Sequence, residues 1–172
     1  NGKSTTVALL FHILKYNKIK CVIGGNYGFP ACEIEDPGKN GIIILELSSY
    51  QLDGAKKLSL DLATITNITK DHLDYHETFK NYKFSKLKII NFIKENGTFI
   101  LDADNKLLNE TVTEKNFKYI NIIKIKKNEN YYYVNDNDYL KGADNAVNSS
   151  IAVSIAKHLN ITFDNISLAI KN

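Results

Sequence analysis

The sequence predicts an α/β fold, a mostly parallel sheet with helices on both faces, together with a small antiparallel element. Three observations lead there. Short apolar, β-branched runs recur along the chain, and amphipathic stretches with helical spacing separate most of them. The chain also opens on NGKSTT, a glycine–lysine–hydroxyl sequence that runs straight into an apolar helix, as the end of a phosphate-binding loop does. Its 172 residues are enough for one domain with its own core.

The elements follow in order. Val7, Leu10, Phe11 and Leu14 mark one face of a first helix starting inside NGKSTT. Residues 20–24 read as a strand that ends in the turn GGNYG. GIIILEL (41–47) reads as a buried strand, continuous, β-branched and too short for a helix. LATITNI (62–68) is a third strand, followed by the polar loop TKDHLDYHET. Phe79, Tyr82, Ile89 and Ile93 define a long helix over about 78–95. GTFILDAD (97–104) is a fourth strand and 105–113 a short helix. YINIIKIK (119–126) and YYYVN (131–135) form the antiparallel element. Val147, Ile151, Ile155 and Leu159 mark a helix from Asn145, and 164–171 a last one. In sheets of this kind ligands bind beyond the carboxyl ends of the strands, where most of the polar motifs fall.

Composition narrows the function. A net charge of +3 is too small to argue for nucleic acid or an anionic membrane as partner. Every basic residue other than histidine is lysine, so this segment offers no arginine finger or guanidinium clamp. Cys21 and Cys32 form no metal or redox motif and read as reduced thiols of a cytoplasmic protein. The longest apolar run is interrupted by Glu46 and is far too short to span a bilayer. The absence of methionine, with a loop motif that lacks its first glycine, predicts that these residues are part of a longer protein.

Five constellations carry chemistry, and each has a plain structural reading beside the functional one. In NGKSTT, backbone N–H groups at a helix start, a lysine and a hydroxyl suit a polyphosphate with magnesium. Lys3 would meet the phosphates and Ser4 or Thr5 the metal; the plain reading is a glycine turn with a serine cap. Glu46, ending an apolar strand in LELSSYQLD, must be solvated, paired or metal-bound. Asp71, His72, Asp74 and His76 crowd one loop, either as metal ligands (zinc among them) or as a solvated turn; on a helix His72 and His76 would share a face. Lys86 interrupts the apolar stripe of the long helix. Either Leu87 packs and Lys86 snorkels outward, or the lysine is aimed into a site and chemically modified there. In GADNAVNSS, Asp144 or Asn145 is a candidate helix N-cap, and Asn145 and Asn148 lie one turn apart, placed to hydrogen-bond a ligand.

Taken in order, these pieces resemble the central ATP-binding domain of the Mur ligases. NGKSTT resembles the end of the family's GTNGKST loop. GGNYGFPA and ELSSYQLD resemble GGNIGxPA and ELSSFQLE of the members that add D-glutamate to UDP-N-acetylmuramoyl-L-alanine. TNITKDHLDYHETFKNYKFSKLKI resembles their NxTxDHLDxH…F..Y..AKxxI block, with the same histidine-to-lysine spacing. The resemblance covers nearly the whole chain. It implies that Gly2, Lys3, Ser4 and Thr5 bind ATP phosphates, Ser4 also meeting magnesium, and that Asn26 and Ser48 face the muramoyl substrate. It implies Glu46 and His72 as magnesium ligands and Lys86 as a carbamylated lysine that helps hold a second magnesium ion. An apolar setting would favour the neutral amine that reacts with carbon dioxide. Asn145 and Asn148 would lie near the adenine nucleotide. Three positions depart from the family pattern. Asp144 replaces a histidine, which bears on the nucleotide pocket or the helix cap; Tyr27 replaces an aliphatic residue; and Lys70 replaces an acidic residue or proline.

The implied reaction activates a carboxylate as an acyl phosphate at the expense of ATP, with Lys3, His72 and Lys86 in the catalytic machinery. The amine of D-glutamate then displaces phosphate. The implied enzyme is a cytoplasmic, monomeric ligase of peptidoglycan precursor synthesis, with no nucleic acid or membrane partner. In the family a uridine-binding domain precedes this one and an amino-acid-binding domain follows, so the 172 residues alone are expected not to ligate. Alternatives are another Mur or folylpolyglutamate-type ligase, a different P-loop ATPase, or a nucleotide-binding module that has lost its chemistry. Lys3, Glu46, His72 and Lys86 together speak against the last.

Overall fold

A computed structural model describes residues 2–115, 117–126, 137, 140 and 142–172. The chain divides into two compact units, one of Asn1–Glu46 with Ile125–Asn172 and one of Leu47–Lys124. The mixed α/β class with parallel pairing expected from the sequence is what the structure shows, with the strands hydrogen-bonded as a two-stranded and a three-stranded sheet.

In the first unit, β1 (Cys21–Gly25) and β2 (Ile42–Glu46) run parallel and in register from Cys21 opposite Ile42 to Gly25 opposite Glu46. The helix α1 (Lys3–Tyr16) packs on both strands and on two C-terminal helices, α6 (Ala143–His158) and α7 (Phe163–Lys171). Its apolar stripe accounts for this: Val7, Leu10, Ile13 and Leu14 are buried, as are Ile151 and Ile155 of α6 and Ile166 and Ile170 of α7. His12 closes the contact with α7 through a 2.6 Å hydrogen bond between its Nε2 and the carbonyl of Ala169. The run GIIILEL is not buried throughout, because Ile43 points outward and is about half exposed.

In the second unit, β3 (Leu60–Thr64) pairs in parallel with β4 (Ile93–Asp102), and β5 (Asn121–Ile125) lies on the other side of β4. Three short helices, α2 (Ser49–Gly54), α3 (Leu73–His76) and α4 (Phe79–Leu87), come before β4, and α5 (Lys106–Lys115) follows it. Ala63, Ile65, Tyr82, Leu87, Ile90, Ile93, Phe99, Leu101 and Leu108 form one buried cluster.

Three expectations are corrected here. The helix predicted over 78–95 stops at Leu87, tightens into a 3-10 turn over Lys88–Phe92, and passes into β4 at Ile93. Ile89, Ile90 and Ile93 are β-branched and pack in the core equally well from turn and strand, so their helical spacing was coincidental. The loop after β3 contains the one-turn helix α3. The N-cap of α6 is Gly142, at φ 112°, and not Asp144 or Asn145. The YYYVN segment, and with it the antiparallel partner strand, lies outside the described residues. No described helix is long and apolar enough to cross a membrane. Cys21 and Cys32 are both free thiols.

Candidate functional site

The first unit gathers its polar residues at two places. Gly2 precedes α1 at φ 82°, the left-handed region that glycine enters without strain. The first-turn N–H groups of α1 have no intrahelical acceptor, and the helix dipole adds positive character there, which suits an anion. Lys3 is half-buried, Ser4 exposed and Thr5 half-buried, while Thr6 turns its hydroxyl back to donate to the Gly2 carbonyl at 2.9 Å. The side-chain amide of Asn148, buried on α6, lies so close to Gly2 that any Cβ at position 2 would collide with it. Asn145, half-buried, lies one turn earlier on the same helix.

The second place is the end of β2. Gly25, at φ 99°, passes so close to the Glu46 backbone that a side chain there would strike its carbonyl. Asn26 is held twice: its N–H donates to the Glu46 carbonyl at 2.8 Å, and its Nδ2 donates to Glu46 Oε1 at 2.8 Å. Glu46 is only 2% exposed, and its second oxygen, Oε2, is buried without a hydrogen-bond partner among the described residues. A buried carboxylate with one oxygen spoken for and the other unpartnered is costly in an isolated fold. It fits a hard cation that takes one or two carboxylate oxygens and completes its shell with water and phosphate oxygens. The sequence marked Asn26 and Glu46 separately; their pairing follows from the parallel register of β1 and β2, which no local pattern reveals.

The second unit carries the rest. Ser48 caps α2 in a reciprocal box: Gln51 N–H donates to Ser48 Oγ at 3.2 Å, and Ser48 N–H donates to Gln51 Oε1 at 2.8 Å. His72 occupies the left-handed region at φ 51° just before α3, with its N–H on Asp71 Oδ1 at 2.9 Å. Its ring contacts those of Tyr50, at 5.0 Å between centroids, and Tyr82, at 6.2 Å. Lys86 is 8% exposed, so it does not snorkel outward. Its Nζ donates to the Asn67 carbonyl at 2.8 Å and lies 5.0 Å from the centre of the Tyr82 ring. The setting is therefore less apolar than the sequence implied, since a carbonyl and a π-face are both partners for an ammonium. Tyr82 touches both His72 and Lys86, and its phenol pKa is raised chiefly by burial.

His76 lies on α3, while His72 precedes that helix as its left-handed N-cap. His76 is buried at the end of α3, its Nε2 lies 3.0 Å from Ser49 Oγ and its Nδ1 3.5 Å from Ser85 Oγ. With both nitrogens facing serines it offers no ligand to zinc, and among the described residues no three His, Cys, Asp or Glu side chains converge as a metal cage. Asp53 receives the Ser85 hydroxyl at 2.8 Å and the Tyr75 hydroxyl at 3.2 Å. The Ser85 hydrogen bond is the main reason its carboxyl titrates below the ordinary aspartate range. Sequence reading missed Ser49, Asp53 and Ser85, because serines and an exposed aspartate carry no distinctive pattern.

Comparison with known proteins places the chain in a family. Residues 1–168 match the Mur ligase middle domain. A UDP-N-acetylmuramoylalanine–D-glutamate ligase of Zymomonas mobilis is 34% identical over 173 residues, covering 99% of this chain and 38% of that protein. Its counterpart from Bacillus cereus is 32% identical over 186 residues, covering 99% of this chain and 41% of that protein. The chain thus spans about two fifths of the length of these relatives. Among solved structures, MurF from Acinetobacter baumannii superposes with a TM-score of 0.72 at 15% identity, covering 100% of this chain and 44% of that one. MurF ligase from Thermotoga maritima in complex with ADP gives 0.70 at 19% identity, covering 98% and 46%. At such identities the structural likeness speaks for the fold alone.

Proposed function

The chain belongs to the Mur ligase family, as its middle domain, and from that premise we propose that it is the ATP- and metal-handling part of a cytoplasmic ligase joining D-glutamate to UDP-N-acetylmuramoyl-L-alanine. Relatives that align over 99% of the chain are UDP-N-acetylmuramoylalanine–D-glutamate ligases, which supports this substrate pair. The observation that carries the chemistry is Glu46, a buried strand-end carboxylate with Oε1 on Asn26 and Oε2 unpartnered.

A free carboxylate is a poor electrophile at neutral pH, so an amide bond requires its prior conversion to an acyl phosphate, which the amine of D-glutamate then attacks. Bound magnesium would supply neutralisation of the phosphate charge during that transfer. This chain's residues do the holding. Gly2 makes room for the Asn148 amide beside the start of α1, Lys3 reaches the phosphates, and Ser4 or Thr5 offers a hydroxyl beside them. Glu46 offers Oε2 to a magnesium ion, with Asn26 fixing the carboxylate plane. Asn26 and Ser48 face the muramoyl substrate, and Asn145 and Asn148 lie toward the adenine nucleotide. His72 and, once carbamylated, Lys86 serve a second magnesium ion. For Lys86 this requires the Nζ to leave the Asn67 carbonyl as a neutral amine and bond to carbon dioxide, releasing one N–H proton to solvent as the carbamate forms.

The test is phosphate release by the full-length protein from ATP with UDP-N-acetylmuramoyl-L-alanine, with and without D-glutamate. Sustained release requires both substrates; release indifferent to D-glutamate sinks the assignment. For the carbamate, 13C-bicarbonate is expected to give a lysine carbamate signal that disappears in Lys86→Ala, and an unchanged spectrum contradicts it.

A further inference from the structure

The buried histidine that the metal reading leaves over has an orientation that can be deduced. Ser85 has one hydroxyl proton, and its short 2.8 Å contact with the Asp53 carboxylate takes it. Ser85 Oγ therefore meets His76 Nδ1, 3.5 Å away, with a lone pair. An unprotonated Nδ1 would set lone pair against lone pair in a buried place, so Nδ1 carries the proton. In the neutral ring Nε2 is then the acceptor, and Ser49 Oγ, 3.0 Å away, donates to it. The result is a directional chain: Ser49 donates to His76, His76 to Ser85, and Ser85 to Asp53. Ser49 and Asp53 both belong to α2, His76 to α3 and Ser85 to α4, so the chain closes on itself and braces three short helices.

The brace also holds aromatic rings in place. Tyr50 stacks on His76 at 5.7 Å and 27°, and Tyr82 meets its ring edge-on at 5.4 Å. The same two tyrosines contact His72, and Tyr82 carries the Lys86 Nζ over its face. Lys86 is also the chain neighbour of Ser85.

We propose that His76, with its Nδ1 protonated and closing the chain from Ser49 through Ser85 to Asp53, is a positioning residue that sets His72 and Lys86 for their work in the ligase reaction. The proposal rests on the ligase reading for that work, but not for the tautomer. Helices of six, four and nine residues hold little geometry alone, so the polar brace replaces what longer helices would supply by packing.

The test is made on the full-length protein. With 15N-labelled histidine, the ring shifts of His76, assigned by their loss in His76→Phe, are expected to report a protonated Nδ1 at neutral pH and to change toward protonated Nε2 in Ser85→Ala. The His76→Phe ring keeps the stacking but not the hydrogen bonds. It is expected to lower kcat and to raise the magnesium concentration for half-maximal phosphate release, each by about tenfold, as loss of an outer support for metal ligands does. A protonated Nε2 in the wild-type protein overturns the proposal, whether or not His76→Phe folds. So does a His76→Phe enzyme with wild-type kcat and magnesium dependence. If the wild-type protein shows no phosphate release dependent on D-glutamate, the ligase reading fails instead, and the tautomer measurement still decides the brace.

Discussion

At the residue scale, Glu46 shows how a cost in folding becomes a sign of function. One oxygen is satisfied by Asn26 while the other is buried and unpartnered, so Glu46→Gln removes a buried charge and keeps an oxygen for Asn26. The variant is expected to melt no lower than the parent, yet to release phosphate at least about a hundredfold more slowly, the scale seen when an electrostatic group is lost from an active site. Calorimetry and a phosphate assay on the same preparation check both halves, and a matched fall in stability and activity would mean a merely structural role. Gly2→Ala runs the other way. Its Cβ must enter the space of the Asn148 amide at φ 82°, where an L-residue carries about 1–2 kcal/mol of backbone strain. Both melting temperature and ATP affinity are expected to fall, the latter read by titration calorimetry. Asp53 adds a pH dependence with a definite sign. Its folded carboxyl titrates below its unfolded value, so its contribution is present above the unfolded pKa and is lost as pH falls through the folded one. It lies near the surface, where solvent screens it, so the effect is small; Asp53→Asn is expected to flatten the acid limb of a melting-temperature profile below about pH 4.

At the scale of elements, α6 carries an avoidable defect. Ser149 is fully buried and its Oγ has no hydrogen-bond partner among the described residues. Ser149→Ala removes an unsatisfied hydroxyl and improves helix propensity, and is expected to stabilise the protein by about 1 kcal/mol, read from the urea midpoint at constant slope. The same scale shows why some elements could be read from the sequence and others could not. α1 and α6 were found by their apolar spacing, although burial follows it only in part: Phe11, Val147 and Leu159 fall on the selected positions and are only half-buried. Residues 88–93 failed because Ile89 and Ile93 obey a helical period while the backbone has already left the helix. β3 begins and ends earlier than LATITNI suggested, at Leu60 and Thr64, since apolar residues continue into the following loop to fill the core from there. The candidate residues were marked by their motifs and order along the chain, each of Lys3, Glu46, His72 and Lys86 having a plain structural reading when taken alone. Their partners were not: Asn26 on Glu46 and Asn67 on Lys86 depend on strand register and on a backbone carbonyl, neither of which leaves a mark in local sequence.

For the whole molecule, two compact α/β units carry the motifs of one family in one chain, and the chain spans about two fifths of its relatives' length. The most direct test of the central claim is the rate of phosphate release by the full-length protein when D-glutamate is added to ATP, magnesium and UDP-N-acetylmuramoyl-L-alanine. The account predicts a saturable rise with D-glutamate, abolished by Lys3→Ala and Glu46→Gln. A rate that does not respond to D-glutamate, or that survives both substitutions, would contradict it.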